Sequence, residues 1–544
     1  IDGNYLRPPV FKQAGGEVPD GFLVVLTATN GTLYVTTDGS DPRAPGGAVA
    51  ATALAYTGPI AIRAQTLVQA RLKNGTSWSG LTAAVFYTPQ DLTRLAVTEI
   101  MYNPPAAAGW TSDDLEFLEL KNIGSNTLHL GTLAFTAGVT FAFINGTDLG
   151  PGQFFVLARN AATFQSKYPG VAVRGVYTGK LDNGGETLRL ASPTGGTIFD
   201  LTYNDRAPWP LAADGYGFSV VPRAAAAPDN SSHGAHWRAS TAPGGSPGKD
   251  DPAPTLPAVV VNEILTHTDP LDVDAIELFN PTAQAADIGG WFLSDDGTTP
   301  AKFRIPDGTL LPPGGYRVLT EADFNPAAAT LLNFALDSAG DAVYLTSADA
   351  AGHLTGYSHG VDFGAAALGV SFGRYLNSVG EEQFPAQQAI TPGGPNAGPV
   401  VGPVVLTEIM YHPDADHEEF VELRNVTAAP VPLFDPANPT NTWRVNGLGF
   451  TFPTNLVLPA NGLLLLVATN PSDFRARYGV PEGVQVLGLS GGTLQNSGER
   501  LELQRPDAPG TNGVPYITVD EVRYDNKVPW PPGADGGGPS LQRR

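Results

Sequence analysis

The chain has 544 residues, 64 of them glycine and 49 proline, with 15% charged residues, a formal charge of −22 and no cysteine. The lack of cysteine excludes disulfides, thiolate metal sites and cysteine nucleophiles. The acidic balance gives none of the counterion-release affinity of nucleic-acid binders and disfavours an anionic membrane surface.

Short Val, Leu, Phe and Tyr runs between Gly/Pro turns indicate an all-β protein. No apolar run approaches the roughly 20 residues that span a bilayer, and no signal peptide is visible. The first residue is Ile1 and the chain stops at SLQRR, so it reads as part of a longer polypeptide.

The first ninety residues form their own unit. GFLVVLTA (21–28), GTLYVTTDGSDPR (31–43), IAIRAQTLVQARL (60–72) and TAAVFYTP (82–89) read as strands broken by Asn-Gly, Asp-Gly and Gly-Pro turns. Asp38 and Asp41 suit Asx turns, with Gly39 at a positive-φ position. YVTTDGSDPR, ARLKNGTSWS and AVFYTP resemble the small β-sandwich at the C-terminus of chitobiases and hexosaminidases. That resemblance implies a non-catalytic appendage over residues 1–91.

Beyond it, one pattern returns three times. LAVTEIMYNPP (95–105) with DDLEFLELKN (113–122) comes back as VVVNEILTHTDP (259–270) with VDAIELFNP (273–281), then as VVLTEIMYHPD (404–414) with HEEFVELRN (417–425). The period is that of a whole domain, too long for a solenoid repeat. Each copy continues with LGPGQFFVLA (149–158), LPPGGYRVLT (311–320) or LPANGLLLLVA (458–468), and then with DNGGETLRL (182–190), DSAGDAVYL (337–345) or QNSGERLEL (495–503). Repeats one and three end on a Pro-Trp-Pro stretch (207–223 and 528–544), which repeat two lacks at 362–375.

These landmarks resemble the lamin-tail domain, an immunoglobulin-like sandwich known from nuclear lamins and bacterial secreted proteins. The implied boundaries are 92–250, 257–398 and 403–544, the third without a closing tail. The expected architecture is therefore all-β: four tandem immunoglobulin-like β-sandwich domains in an elongated chain. In EFLELKN, Phe117, Glu119 and Lys121 alternate with Glu116, Leu118 and Leu120, which suggests strands covered on one side. The Pro-rich stretches 243–258 and 392–403 read as semi-extended spacers, and residues 1–13 as a donated strand or a linker.

The loop between the two opening strands is acidic in every copy: Asp113, Asp114 and Glu116; Asp269, Asp272 and Asp274; Asp414, Asp416, Glu418 and Glu419. Clustered carboxylates of this kind suit Ca²⁺, although an acidic protein has acidic loops in any case. HPDADHEE (412–419) offers imidazole and carboxylate to zinc or copper in one copy alone.

Glu99, Glu263 and Glu408 lie inside apolar strands. There they either anchor backbone N–H groups or a base such as Lys121 or Arg424, or form a raised-pKa acid with Glu119, Glu277 and Glu422. Three equivalent copies favour the anchoring role. Trp78, Trp110, Trp209, Trp237, Trp291, Trp443 and Trp530 would stack on sugars if exposed, Trp209 and Trp530 being set between prolines. No Gly-x-Ser-x-Gly elbow, HExxH or phosphate loop occurs.

The expected function is a non-enzymatic extracellular structural or adhesion protein of a bacterium, forming a stalk, surface layer or filament. Its partners would be further copies of itself, cell-surface or extracellular-matrix components, or carbohydrate. The alternatives are accessory domains of a larger secreted enzyme, or a carbohydrate-binding array.

Overall fold

A computed structural model describes residues 6–63, 65–107, 109–144, 146–193, 195–224, 230–269, 272–326, 333–378, 380–489, 491–510, 513–527 and 529–544. The chain divides into two compact units, residues 1–256 with 346–358, and residues 257–345 with 359–544. Both are nearly all β, and among the described residues no helix is long and apolar enough to cross a membrane.

In the first unit, the strand Thr66–Asn74 alternates buried and half-buried residues and pairs antiparallel with Thr32–Thr36 and Thr82–Tyr87. Its inward Val68 and Ala70 meet Val24, Val35, Ile62 and Phe86. Asp38 and Asp41 accept the N–H groups of Ser40 (3.0 Å) and Arg43 (2.9 Å), as Asx turns require. Asp41 also holds Arg71 through both oxygens at 2.7 Å.

The N-terminal segment belongs to this sandwich. Val10–Phe11 pairs with Leu26–Thr27, Phe11 lies 5.7 Å from Phe86, and the Thr82 hydroxyl donates to the Pro9 carbonyl at 2.7 Å. Of the segment 1–13, residues 1–5 lie outside the described residues; the rest pairs with its own chain.

The first repeat, also in this unit, builds a six-stranded sheet. Its order is Val173–Val176, Phe154–Ala158, Phe117–Asn122, Leu95–Met101, Val220–Pro222, Trp237–Ala239. The inner face places Leu95, Val97, Leu118 and Leu120 against Leu188, Leu190 and Leu201 of the sheet Ala134–Ala137, Gly185–Ala191, Thr197–Asn204. All seven residues of Leu95–Met101 are buried.

That burial corrects the expectation of one-sided strands. The outer face is covered by the helix Ala161–Lys167, which crosses over between two parallel strands and sets Phe164 edge-on to Phe117 at 5.4 Å. Asn160 starts the helix by accepting the N–H groups of Ala162 and Thr163. A seven-residue helix carries too short an amphipathic signal to stand out in the sequence.

The second unit repeats the plan twice. Its second-repeat sheet runs Tyr316–Thr320, Ala275–Phe279, Val260–Leu265, Phe372–Gly373. The third runs Gln485–Gly488, Leu463–Val467, Phe420–Asn425, Val404–Met410, Leu541–Gln542. The helix Pro471–Tyr478 again caps the outer face, with Phe474 edge-on to Phe420 at 5.5 Å.

One buried asparagine per repeat locks the strand end. Asn425 donates from Nδ2 to the carbonyls of Ala429 (2.8 Å), Leu458 (3.2 Å) and Pro459 (2.9 Å), while its Oδ1 accepts the N–H and hydroxyl of Thr427. Asn280 makes the same set of bonds, and Asn122 reaches the Asn126 and Leu149 carbonyls while accepting the Gly124 N–H. Leu, of similar size, would leave those carbonyls unpaired. Asn425→Leu is expected to lower the stability of the second unit by about 2–3 kcal/mol in urea titration; an unchanged midpoint would remove the asparagine from this role.

Candidate functional site

The site that recurs is the pair of glutamates on the two central strands. A β-bulge interrupts the ladder at Val97/Glu99, Val261/Glu263 and Leu406/Glu408, directly before the glutamate each time. Such a bulge re-aims the side chain that follows it. Each glutamate then stands opposite the second one: Glu99 with Glu119, Glu263 with Glu277, Glu408 with Glu422.

Two carboxylates side by side within a sheet need donors. The first donor of each is local. Glu99 accepts the Ser219 hydroxyl at 2.5 Å, Glu263 the Ser371 hydroxyl at 2.6 Å, and Glu408 the Ser540 hydroxyl. Glu119 accepts the Thr98 hydroxyl (2.8 Å), Glu277 the Asn262 amide (2.8 Å) and Glu422 the Thr407 hydroxyl (2.8 Å).

The second donor comes from the closing tail. Ser246 donates its N–H to Glu99 at 2.8 Å and Gly248 donates to Glu119 at 2.5 Å, so Ser-Pro-Gly spans the pair. In the second repeat Thr391 donates to Glu263 at 3.0 Å and Gly393 to Glu277, so Thr-Pro-Gly does the same. The proline between has no N–H to leave unsatisfied. Gly245 fits because a Cβ there would stand 1.8 Å from the nearer Glu99 oxygen, at a φ of +74°.

These contacts correct the reading of 243–258 and 392–403 as free spacers. Beyond Gly248 the tail stays docked: Lys121 holds Asp250 at 2.5 Å, and Arg238 holds Asp251 at 2.6 Å. In the second repeat Asn396 accepts from the Asn262 side-chain amide at 3.0 Å and donates to the backbone carbonyls of Asn262 (3.0 Å) and Arg374 (2.9 Å). The anchoring role of the glutamates is therefore filled by backbone N–H groups and hydroxyls, with Lys121 pairing to Asp250 and Arg424 exposed.

Closure by the tail buries the pairs. Glu99 and Glu119 are each 1% exposed, Glu263 4% and Glu277 2%, whereas Glu408 and Glu422 are half-buried. Burial, followed by the charge of Glu119, pushes the Glu99 carboxyl well above the usual range. Burial raises Glu119 to about 7 and raises Glu277 as well. Such groups have the poise of an acid, yet the tail lies across them and leaves no path for a substrate.

The ten acidic-loop residues are placed singly. Asp113 pairs with Arg159 at 3.0 Å, and Asp114 accepts from Thr111 and Asn160. Glu116 is buried, raised to about 7 chiefly by that burial, and pins the chain by accepting the Leu181 N–H at 2.9 Å. Glu419 does the same for Leu494 at 3.1 Å.

Asp274 accepts the Thr268 hydroxyl at 3.3 Å and is raised to about 6 by burial, while the Asp269 carbonyl accepts the Asp272 N–H. Asp414 accepts the Asp416 N–H and pairs with His417 at 2.5 Å; Glu418 pairs with Arg477 at 2.8 Å; His412 pairs with Asp535. Among the described residues, no three His, Asp or Glu side chains converge on a metal-holding geometry.

Trp209 is 8% exposed and stacks on Trp237 at 5.8 Å inside the first-repeat core, so it offers no ring face to a sugar. Trp530 is half-buried against the third core. A cleft of about 490 Å³ in the first unit is lined by Asp20, Arg63, Gln90, Asp91, Arg94 and His129. Within it Arg94 pairs with Asp91 at 3.2 Å, and the His129 ring lies 2.7 Å from the Asp148 carboxylate.

Residues 88–205 and 252–359 match the Lamin Tail Domain family. These two stretches are similar to lamin-tail domains. Residues 24–84 match the Fn3 associated family, and the third repeat lies outside the matched residues. The lamin-tail stretches are immunoglobulin-like sandwiches in which the bulged glutamate strand is central.

Among solved structures, a DUF4876 family protein from Bacteroides thetaiotaomicron is similar over 38% of this chain and 84% of its own, at 11% identity and a TM-score of 0.19. SGBP-B of the Bacteroides ovatus mixed-linkage glucan utilization locus, in complex with a mixed-linkage heptasaccharide, is similar over 86% of this chain and 94% of its own, at 11% identity and a TM-score of 0.15. No curated protein matches the chain.

The sequence reading missed Ser219, Ser371 and Ser540, and it missed the tail amides. The signal was present: Ser-Pro-Gly and Thr-Pro-Gly follow the first two repeats at corresponding places.

The raised glutamates fix a pH dependence. A carboxyl whose folded pKa lies above its unfolded value binds its proton more tightly in the native state. It contributes stability fully below about 4.3, lost as pH rises through about 7. The first unit's melting temperature is therefore expected to fall between pH 5 and pH 8, and Glu119→Gln is expected to flatten that fall. A melting temperature that rises over the same range, or a fall undiminished in the variant, would contradict the assignment.

Proposed function

We propose that the chain is a non-catalytic array of extracellular bacterial β-sandwich modules, serving as a structural or adhesive stalk, surface layer or filament. The third repeat is taken as a further lamin-tail domain, because it has the same bulge, glutamate pair, buried asparagine and outer helix. The small N-terminal sandwich is taken as an Fn3-associated appendage that is also close to the chitobiase C-terminal type.

The observation that carries this reading is the use made of the buried carboxylates. In the two repeats with a tail they hold the chain's own backbone beneath a closed cover, and the acidic loops engage protein donors one residue at a time. Edge strands supply the means of association: Val173–Val176 ends its sheet with Val176 52% exposed. The same features suit accessory domains of a larger secreted enzyme, and a carbohydrate-binding array would have to use surfaces other than Trp209.

Negative-stain electron microscopy over a concentration series tests the proposal, paired with a glycan array. Regular fibres or sheets are expected, with no glycan bound. Particles that stay monomeric at high concentration while binding one glycan class saturably would overturn self-assembly in favour of carbohydrate recognition.

A further inference from the structure

The bulge that aims the first glutamate of each pair has a clamp of its own. The residue at which it begins donates its N–H to a side chain: Val97 to Asn230 Oδ1 at 2.6 Å, Val261 to His359 Nδ1 at 3.2 Å and Leu406 to Asp520 Oδ2 at 2.8 Å. The three acceptors differ in chemistry. An amide oxygen accepts at any pH, whereas an imidazole nitrogen accepts only while it carries no proton.

The second repeat holds its imidazole in one state. A backbone N–H can only donate, so Nδ1 is the bare nitrogen and the ring's single proton sits on Nε2, which lies 2.7 Å from Glu382 Oε1. The other Glu382 oxygen accepts from Arg374 Nε, and Arg374 donates its own N–H to the Asn262 carbonyl at 2.7 Å. The charged groups facing the ring are Glu382 and, behind it, Arg374, with the Phe384 ring 6.3 Å away. Burial works to raise the Glu382 carboxyl, but its bonds and charges with His359 and Arg374 outweigh it and hold the carboxyl at about 2. Glu382 thus stays ionised in mild acid, which leaves the imidazole as the group of this network that can take a proton there.

We propose that His359 is an acid-sensitive latch on the second repeat's bulge. A second ring proton goes to Nδ1, the Val261 N–H then faces a donor instead of an acceptor, and Glu382 retains the imidazolium through a charge-assisted bond. Val261, Asn262 and Glu263 are consecutive, and each carries part of the site. Val261 starts the bulge, Asn262 donates to Glu277 at 2.8 Å, and Glu263 accepts the Thr391 N–H at 3.0 Å. Releasing the first loosens the aim of the other two, so the closing tail of the second repeat loosens in acid. The first repeat, with Asn230 at the same place on its bulge, has no such latch. The latch adds regulation to the array and stands on the second repeat's own geometry whether or not the array assembles.

Hydrogen exchange at single-residue resolution tests this on the 544-residue protein, with protection factors compared at about pH 7.5 and about pH 5. The Val261, Thr391 and Gly393 amides are expected to lose protection by about tenfold or more on acidification, while Val97 keeps its own. His359→Asn, which supplies the acceptor type of the first repeat, is expected to abolish that loss. Three results would each overturn the proposal: protection at Val261 unchanged at the lower pH, a fall shared equally by Val97, or a loss at Val261 that leaves Thr391 and Gly393 protected. Val97 lies beside a glutamate pair of the same kind and is read in the unaltered protein, so the test survives a His359→Asn variant that fails to fold.

Discussion

A carboxylate inside a β-sheet must find donors, and that requirement shapes every repeat of this chain. Burying the charge is costly, and placing a second carboxylate opposite the first adds repulsion. The bulge turns the first glutamate toward a serine on the exit strand, and a hydroxyl or amide on the bulged strand serves the second. In the first two repeats the backbone of the closing tail adds an N–H to each carboxylate. In those repeats the tail is thus part of the domain's hydrogen-bond network.

This arrangement explains the composition of the joints. A Gly-Pro-rich segment would ordinarily be a loose spacer, but here each residue type has a task. Proline spaces two donors without adding a third, and glycine permits close approach to the carboxylate, as at Gly245. The charged residues that follow, Asp250 and Asp251, find Lys121 and Arg238 waiting on the sheet. A joint held in this way limits how the segment leaves the domain.

Much of the fold was legible in the sequence, because the three-fold repetition displayed it. Alternating strands, turn residues and the repeated Glu99, Glu263 and Glu408 pointed to immunoglobulin-like sandwiches and to an anchoring role. What could not be read was which partners the glutamates would find, since Ser219 and Ser246 lie 120 and 147 residues away in the chain. The outer helix escaped for a different reason: two turns ending in Lys167 carry too few apolar positions to register as amphipathic. In the acidic loops the charge could be read from the sequence but not its direction. Glu116 turns inward to pin Leu181, while Asp113 turns outward to Arg159.

The central claim is that the glutamate pair holds the tail, and amide hydrogen exchange at Ser246, Gly248, Thr391 and Gly393 measures that most directly. All four are expected to exchange slowly, at rates close to those of the strands Leu95–Met101 and Val260–Leu265. In Glu119→Ala the Gly248 amide, and in Glu277→Ala the Gly393 amide, is expected to approach the rate of an open loop while the sheet amides stay protected. Fast exchange at all four positions in the unaltered protein would contradict the account.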